Sequence, residues 1–90
     1  MNTFAPVENG QAMQTLNDAL RGQVLRVRAI VSGDQELDAK LREIGFSEGD
    51  EVELLTRGPF AGQRLAVRLN RTIIALRSAE ARAVAVEPFS

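Results

Sequence analysis

The feature that most constrains the fold is a hairpin pattern in the last third of the chain. Residues 64–69 alternate between apolar side chains and small or charged ones, as expected for a strand with one buried face. Asn70 and Arg71 follow, and asparagine accepts the positive φ that two-residue hairpin turns require. Residues 72–76 then form a strongly apolar run. We therefore predict two antiparallel strands joined by a tight turn. The side chains predicted to face inward on the first strand are Leu65, Val67 and Leu69.

Three further segments have the composition of short strands, at residues 23–31, 51–57 and 83–86. The side chains predicted to face inward on the first two are Leu25, Val27, Ala29, Val31, Val52 and Leu54. Ile30 departs from this alternation, because it falls on the outer face. Five short strands with tight turns favour closure into a small barrel, since closure removes exposed strand edges. We expect a mainly β fold.

One helix is predicted between the first two strands. Ser32 and Gln35 have the spacing of a capping box, in which the two side chains satisfy free amides at a helix start. Gly45 suits the left-handed position that ends a helix. The predicted buried stripe is Leu37, Leu41 and Ile44, and the predicted ion pairs are Glu36 with Lys40 and Asp38 with Arg42. A single helical turn capped by Ser78 is expected before the last strand.

The composition excludes several kinds of site. The chain has no cysteine and no histidine, which removes disulfides, thiolate metal sites, the commonest transition-metal ligand and the usual base near neutral pH. Asp50, Glu51 and Glu53 are close in sequence. Only Glu51 and Glu53 are expected to share the outer face, without a third fixed ligand, so these carboxylates offer a weak surface site at most. We therefore expect no catalytic residues, no metal site and no cofactor, and a protein that is not an enzyme.

The chain of 90 residues has the length of one domain. Residues 1–14 show no sustained period and are predicted to be a mobile N-terminal arm, whereas residues 15–88 are predicted to form the barrel domain. The apolar runs are much shorter than a membrane span of about 20 residues. The first residues lack the basic and apolar regions of a signal peptide. We expect a cytoplasmic location.

Charge is unevenly distributed along the chain. Residues 34–53 contain eight acidic side chains, whereas residues 57–82 contain six arginines and one acid. This polarity suits orientation of a partner by complementary charge, and it also fits ordinary solvated faces. A basic face that binds nucleic acid is the main alternative, although the isoelectric point of about 5.4, the single lysine and the absence of Trp and Tyr disfavour it. The arginines of that face would be Arg26, Arg28, Arg64, Arg68, Arg71 and Arg77.

Several short motifs occur in an order that resembles the ferrous-iron transport protein A (FeoA) family. They are Thr15-Leu16 leading to Gly22, Ile44-Gly45-Phe46-Ser47-Glu48-Gly49, Arg57-Gly58-Pro59, Ile74-Ala75-Leu76-Arg77 and Val84-Ala85-Val86. The chain departs from the family pattern in two places. The loop after Pro59 lacks the usual acid and second proline, and the hairpin turn has Asn70 and Arg71 where a glycine is usual.

The resemblance implies an SH3-like barrel and a cytoplasmic accessory role in bacterial ferrous-iron uptake. The implied partner is the cytoplasmic region of a large membrane transporter that carries a G-protein-like domain. A similar barrel is the last domain of iron-dependent repressors of the diphtheria-toxin-repressor type. The expected link to iron is therefore through a partner rather than through a metal site of this chain.

The candidate partner-binding surface is the loop between the second and third strands. Pro59 and Phe60 would form its apolar centre, with Arg57 and Arg64 around them and Gly58 at the start of the loop. Packing of Phe60 over the end of the barrel is the alternative interpretation. A weak homo-oligomer formed through a strand edge also stays open, because small barrels expose such edges.

Overall fold

Five antiparallel strands and one inserted ten-residue helix form the part of the chain that is described, which is residues 14–58 and 64–89 of a computed structural model. The elements are a 3₁₀ turn (Leu16–Asp18), β1 (Val24–Ile30), α1 (Gln35–Ile44), β2 (Glu51–Arg57), β3 (Arg64–Leu69), β4 (Thr72–Arg77), α2 (Ser78–Ala81) and β5 (Val84–Pro88). The predicted mainly β fold with an inserted helix is confirmed. The predicted N-terminal arm lies, up to Met13, outside the described residues. No helix within the described ranges is long and apolar enough to cross a membrane.

The strands form one sheet in the order β4-β3-β2-β1-β5, and every neighbouring pair is antiparallel. The outer side of β5 is partly covered, because Val86 N–H donates to the Gln14 carbonyl at 2.9 Å and Thr15 bridges Ala85. Within residues 14–58 and 64–89, no ladder joins β4 to β5. The sheet is therefore barrel-like, and the predicted closure of all edges is not present there.

One hydrophobic core is shared by all five strands, α1 and the 3₁₀ turn. Its large, fully buried side chains are Leu16, Leu25, Val27, Leu41, Phe46, Val52, Leu54, Leu65, Val67, Leu76, Val84 and Val86. Full burial of a side chain of this size contributes about 1.5–3 kcal/mol. The inward faces predicted for β2 and β3 are confirmed.

A β-bulge in β1 changes the face predicted for the end of that strand. The register against β5 skips between Val27 and Ala29, so one extra residue stands between two paired positions. After the skip, Ile30 packs against the core, Ala29 is half-buried and Val31 is exposed. The prediction that Ala29 and Val31 face inward with Ile30 outward is therefore wrong, because the bulge shifts the alternation by one residue.

The start of α1 differs from the predicted capping box. The Asp34 carboxylate accepts hydrogen bonds from the amides of Glu36 at 2.9 Å and Leu37 at 3.3 Å, so Asp34 is the N-cap. The Ser32 hydroxyl bonds instead to the Asp38 carboxylate. The Ser32–Gln35 box is wrong because the helix begins two residues later than that box requires.

Long-range ion pairs replace the pairs predicted within α1. Arg42 contacts Glu48 at 2.9 Å, and Lys40 contacts Glu80 at 2.7 Å. The predicted pairs of Lys40 with Glu36 and of Arg42 with Asp38 do not form. The hydrogen bonds from Arg42 lower the pKa of Glu48 to about 2. The helix is thus linked to the turn before β2 and to α2.

Glu80 joins three elements. Its carboxylate accepts the Arg77 amide at 2.8 Å and the Lys40 ammonium at 2.7 Å, and its side chain is only 13% exposed. The N-cap of α2 is therefore Arg77, one residue before the predicted Ser78. The bond from the Arg77 amide, followed by that from Lys40, lowers the pKa of Glu80 below its usual range.

We predict that Glu80→Gln destabilises the protein at pH 7 by about 1 kcal/mol, because a charge-assisted hydrogen bond is lost. A carboxyl whose pKa falls on folding stabilises the fold above its unfolded pKa of about 4.3, and this contribution is lost as pH falls below that value. Urea unfolding of both proteins between pH 7 and pH 2 measures the effect. The difference should shrink below about pH 4, and a difference independent of pH would contradict the assignment. Glu36→Gln is the control and should stay within about 0.5 kcal/mol.

Candidate partner-binding surface

The predicted site lies where β2 leaves the sheet and β3 enters it. The Gly58 amide donates to the Arg64 carbonyl at 2.9 Å and so holds the two ends of the loop together. Pro59 and Phe60 lie outside the described residues. The structure therefore describes the base of the loop, namely Arg57, Gly58 and Arg64.

A β-bulge in β2 decides where Arg57 points. The register against β3 skips between Leu54 and Thr56, so Thr56 pairs with Ala66 and Arg57 pairs with the buried Leu65. Paired residues of neighbouring strands share a face of the sheet. Arg57 is accordingly half-buried on the inner side, whereas strict alternation from Val52 would have placed it outside.

The Arg57 guanidinium holds the N-terminal segment against the sheet. It donates to the carbonyl oxygens of Asn17 at 2.5 Å and Ala19 at 3.1 Å. The side-chain oxygen of Asn17 is buried, with no hydrogen-bond partner among the residues described. Arg57 therefore has a structural contact of its own. The sequence interpretation expected Arg57 and Arg64 on one face, and the structure does not bring them together there.

Arg64 instead faces another arginine. The register of β3 and β4 places Arg64 directly opposite Arg77, and both are exposed. None of the ion pairs within residues 14–58 and 64–89 includes either side chain. The loop residues 59–63 contain no acid. Like charges directly opposite each other on a sheet are destabilising, by about 0.2–1 kcal/mol.

Small side chains adjoin the two arginines on the outer face. Ala66 pairs with Ala75 next to the Arg64–Arg77 pair, and Ala75 is exposed. We call Arg64, Ala66, Ala75 and Arg77 the arginine patch. Neither arginine forms an ion pair with a described residue, although the Glu80 carboxylate accepts the Arg77 amide, and the two alanines make the centre of the patch apolar. Such a surface suits an anionic partner.

Sequence reasoning named Arg77 only in the alternative basic face and left it out of the candidate partner-binding surface, although a signal for its place beside Arg64 was present. A two-residue turn at Asn70 and Arg71 pairs residues at equal distances on either side of it. Counting outward from that turn places Arg77 opposite Arg64. For Arg57 no comparable signal existed, because its orientation depends on the bulge.

Known structures provide close counterparts of this fold. A family model for the FeoA domain matches residues 14–88. The FeoA protein of Stenotrophomonas maltophilia, solved in complex with zinc, is 32% identical with a TM-score of 0.72, over 82% of this chain and 89% of that one. It is described as a prokaryotic SH3-domain protein and a candidate activating factor for bacterial ferrous-iron transport. The predicted SH3-like fold is confirmed.

Two further solved structures share the architecture. A FeoA-like protein from Clostridium acetobutylicum is 25% identical with a TM-score of 0.78, over 88% of this chain and 90% of that one. A manganese-dependent transcriptional repressor is 25% identical with a TM-score of 0.76, over 84% of this chain but only 41% of that one. No curated protein sequence matches the chain.

The zinc of the S. maltophilia protein has no fitting ligand set here. The chain has no histidine or cysteine, and its described residues contain no group of three or more carboxylates placed to hold a metal ion. Zinc sites use Cys, His and carboxylate ligands in sets of three or four. We therefore derive no step through a bound metal.

We predict that Arg57→Ala destabilises the protein by about 1–3 kcal/mol, because two carbonyl groups lose a charged donor. Urea unfolding measures the loss. The exposed Arg71→Ala is the control for removal of an arginine and should change stability by less than about 0.5 kcal/mol. Equal stability of Arg57→Ala and the parent protein would show that the contact with the 3₁₀ turn contributes nothing.

Proposed function

Because this chain belongs to the FeoA domain family, we propose that it is a non-enzymatic accessory protein of ferrous-iron uptake. It acts by binding the cytoplasmic part of a membrane ferrous-iron transporter that carries a G-protein-like domain. The description of the S. maltophilia FeoA protein as a candidate activating factor supports this role and an activating effect on transport. Binding biases the state of the G-protein-like domain or of the transport gate.

The observation that carries the proposal is the Arg64–Arg77 pair. Two arginines opposite each other, with no ion pair to a described residue, are expected to weaken the free domain, and an anionic partner that contacts both would explain their arrangement. Gly58-Pro59-Phe60 adjoins the arginine patch in sequence and supplies the apolar contact of the same surface. Arg57 supports this surface from the inner side, through its bonds to the N-terminal segment.

Nucleic acid is the second candidate partner, because phosphates would also be attracted to these arginines. The structure weakens the predicted basic face, however. Arg68 is paired with Glu53 at 2.8 Å, and Arg28 lies 3.9 Å from Glu87. Carboxylates thus alternate with the arginines across the outer face, which leaves the arginine patch as a local site rather than a continuous basic track.

The proposal predicts binding in a calorimetric titration with the soluble cytoplasmic part of the ferrous-iron transporter from the same organism. The titration is run with GDP and with a non-hydrolysable GTP analogue. Arg64→Gln/Arg77→Gln should weaken binding by about tenfold or more, as loss of two charge contacts requires. The control Arg21→Gln/Arg28→Gln removes the same charge elsewhere and should stay within about twofold.

No binding in either nucleotide state would refute the proposed partner. Equal weakening by both double variants would assign the effect to net charge instead of to the arginine patch. Binding of an oligonucleotide duplex with a steep salt dependence, together with no transporter binding, would favour the second candidate.

A further inference from the structure

We infer that the outer edge of β4 binds an extended, acidic segment of a partner polypeptide, which adds to the sheet as a sixth strand. The inference deepens the proposed function and rests on it only for the origin of that segment. The β4 edge would bind the backbone of the segment, and the side chains along β4 would select the side chains of the partner.

The edge itself follows from the register. β4 is the last strand of the sheet, and Leu69 and Thr72 close the two-residue turn. The pair that closes such a turn exchanges backbone hydrogen bonds, and in an antiparallel ladder every second pair does so. Ile73 and Ala75 belong to the intervening pairs. Their N–H and C=O groups therefore point away from β3.

No described residue forms a backbone hydrogen bond to Ile73 or Ala75 on this edge, and the Arg77 amide at its end is bonded to the Glu80 carboxylate at 2.8 Å. The backbone hydrogen bonds outside the ladders include none from Ile73 or Ala75 within residues 14–58 and 64–89. At the opposite end of the sheet, by contrast, β5 bonds to Gln14 and bridges Thr15. One edge is thus occupied by the chain's own N-terminal segment, whereas no residue within 14–58 and 64–89 pairs with the other, which is the kind of edge that strand addition uses.

The side chains along β4 specify the charge of the added strand. Arg77 lies at one end with Arg64 beside it, and Arg71 lies in the turn at the other end. None of these three arginines forms an ion pair with the described residues. Ile73 between them is 63% exposed. An acidic residue opposite Arg77 and an apolar residue opposite Ile73 complement this pattern.

These positions define a sequence for the segment. Neighbouring antiparallel residues share a face, so the acid opposite Arg77 precedes the residue opposite Ala75 by two positions and the residue opposite Ile73 by four. The antiparallel orientation is chosen because it is the more stable per residue. The segment is therefore an acid followed at the second and fourth positions by apolar residues.

A second copy of this chain fits the edge less well. Two β4 strands side by side would bring Arg64, Arg71 and Arg77 of both copies close to the new interface. Glu53, on the outer face of β2, is already bonded to Arg68 and so does not offset their charge. Repulsion therefore opposes self-pairing. Natural proteins also place charges on edge strands solely to prevent aggregation, and in that case no peptide would bind.

The test is a titration of the ¹⁵N-labelled protein with a synthetic peptide of about nine residues. The peptide carries glutamate followed by valine at the second and fourth positions, separated by threonine. The control peptide has lysine in place of glutamate. We expect chemical-shift changes along β4 and at least fivefold slower exchange of the Ile73 and Ala75 amides, with the glutamate peptide binding about tenfold more tightly than the lysine peptide.

Two variants separate backbone pairing from charge. Ala75→Pro removes an outward amide and no bond to β3, since proline is tolerated on edge strands, and it should abolish peptide binding. Ile73→Glu keeps the outward amides but adds repulsion, and it should weaken binding at least tenfold. Arg28→Gln, on β1, is the control and should bind as the parent does.

The inference fails if Ala75→Pro folds and still binds the peptide, if both peptides bind equally, or if the slowed amides lie outside β4. If Ala75→Pro does not fold, the position of the slowed amides decides backbone pairing and Ile73→Glu decides the side-chain contribution; slowed amides outside β4 or unchanged binding by Ile73→Glu would then overturn the inference. Concentration-dependent protection of Ile73 without peptide would identify a second copy as the occupant and overturn the inference. Transporter binding by a folded Ala75→Pro variant would refute strand addition at β4 and leave the proposed function standing. Peptide binding without transporter binding would refute the proposed function and leave strand addition standing.

Discussion

The two-residue turn at Asn70 and Arg71 sets the charge arrangement of the outer face. Asn70 has a φ of 57°, so the turn closes without extra residues and the register of β3 and β4 follows from it. That register places Arg64 opposite Arg77. It also directs alternate backbone groups of β4 toward the open edge. The candidate surface and the proposed strand-addition site thus have one geometric origin.

The bulge in β2 is the second constraint, because it separates two arginines that are close to the same loop. Arg57 is directed inward, where it bonds to carbonyls of the N-terminal segment, and Arg64 stays on the outer face. Arg57 therefore bonds within the domain, whereas Arg64 is exposed on the surface that we propose for the partner. The proposed surface can thus carry two opposed arginines on a domain with a modest core, since burial elsewhere offsets the repulsion.

Much of the fold could be predicted from local patterns. Alternation gave the inward faces of β2 and β3, and Gly45 with its φ of 128° ended α1 as expected. Arg77 could also have been placed, by counting from the turn. The bulges could not, because an extra residue in a strand leaves no local mark in the sequence. The partners of Lys40 and Arg42 depended on tertiary contacts, which brought Glu80 and Glu48 closer than the acids within the helix.

Repulsion between Arg64 and Arg77 in the free domain is tested most directly by a double-mutant cycle on stability. Arg64→Gln, Arg77→Gln and the double variant are unfolded in urea at low and high salt. Each single variant should be more stable than the parent by about 0.2–1 kcal/mol. The double variant should gain less than the sum, and the gains should shrink as salt screens the charges. Single variants that are less stable than the parent, with no dependence on salt, would contradict this repulsion.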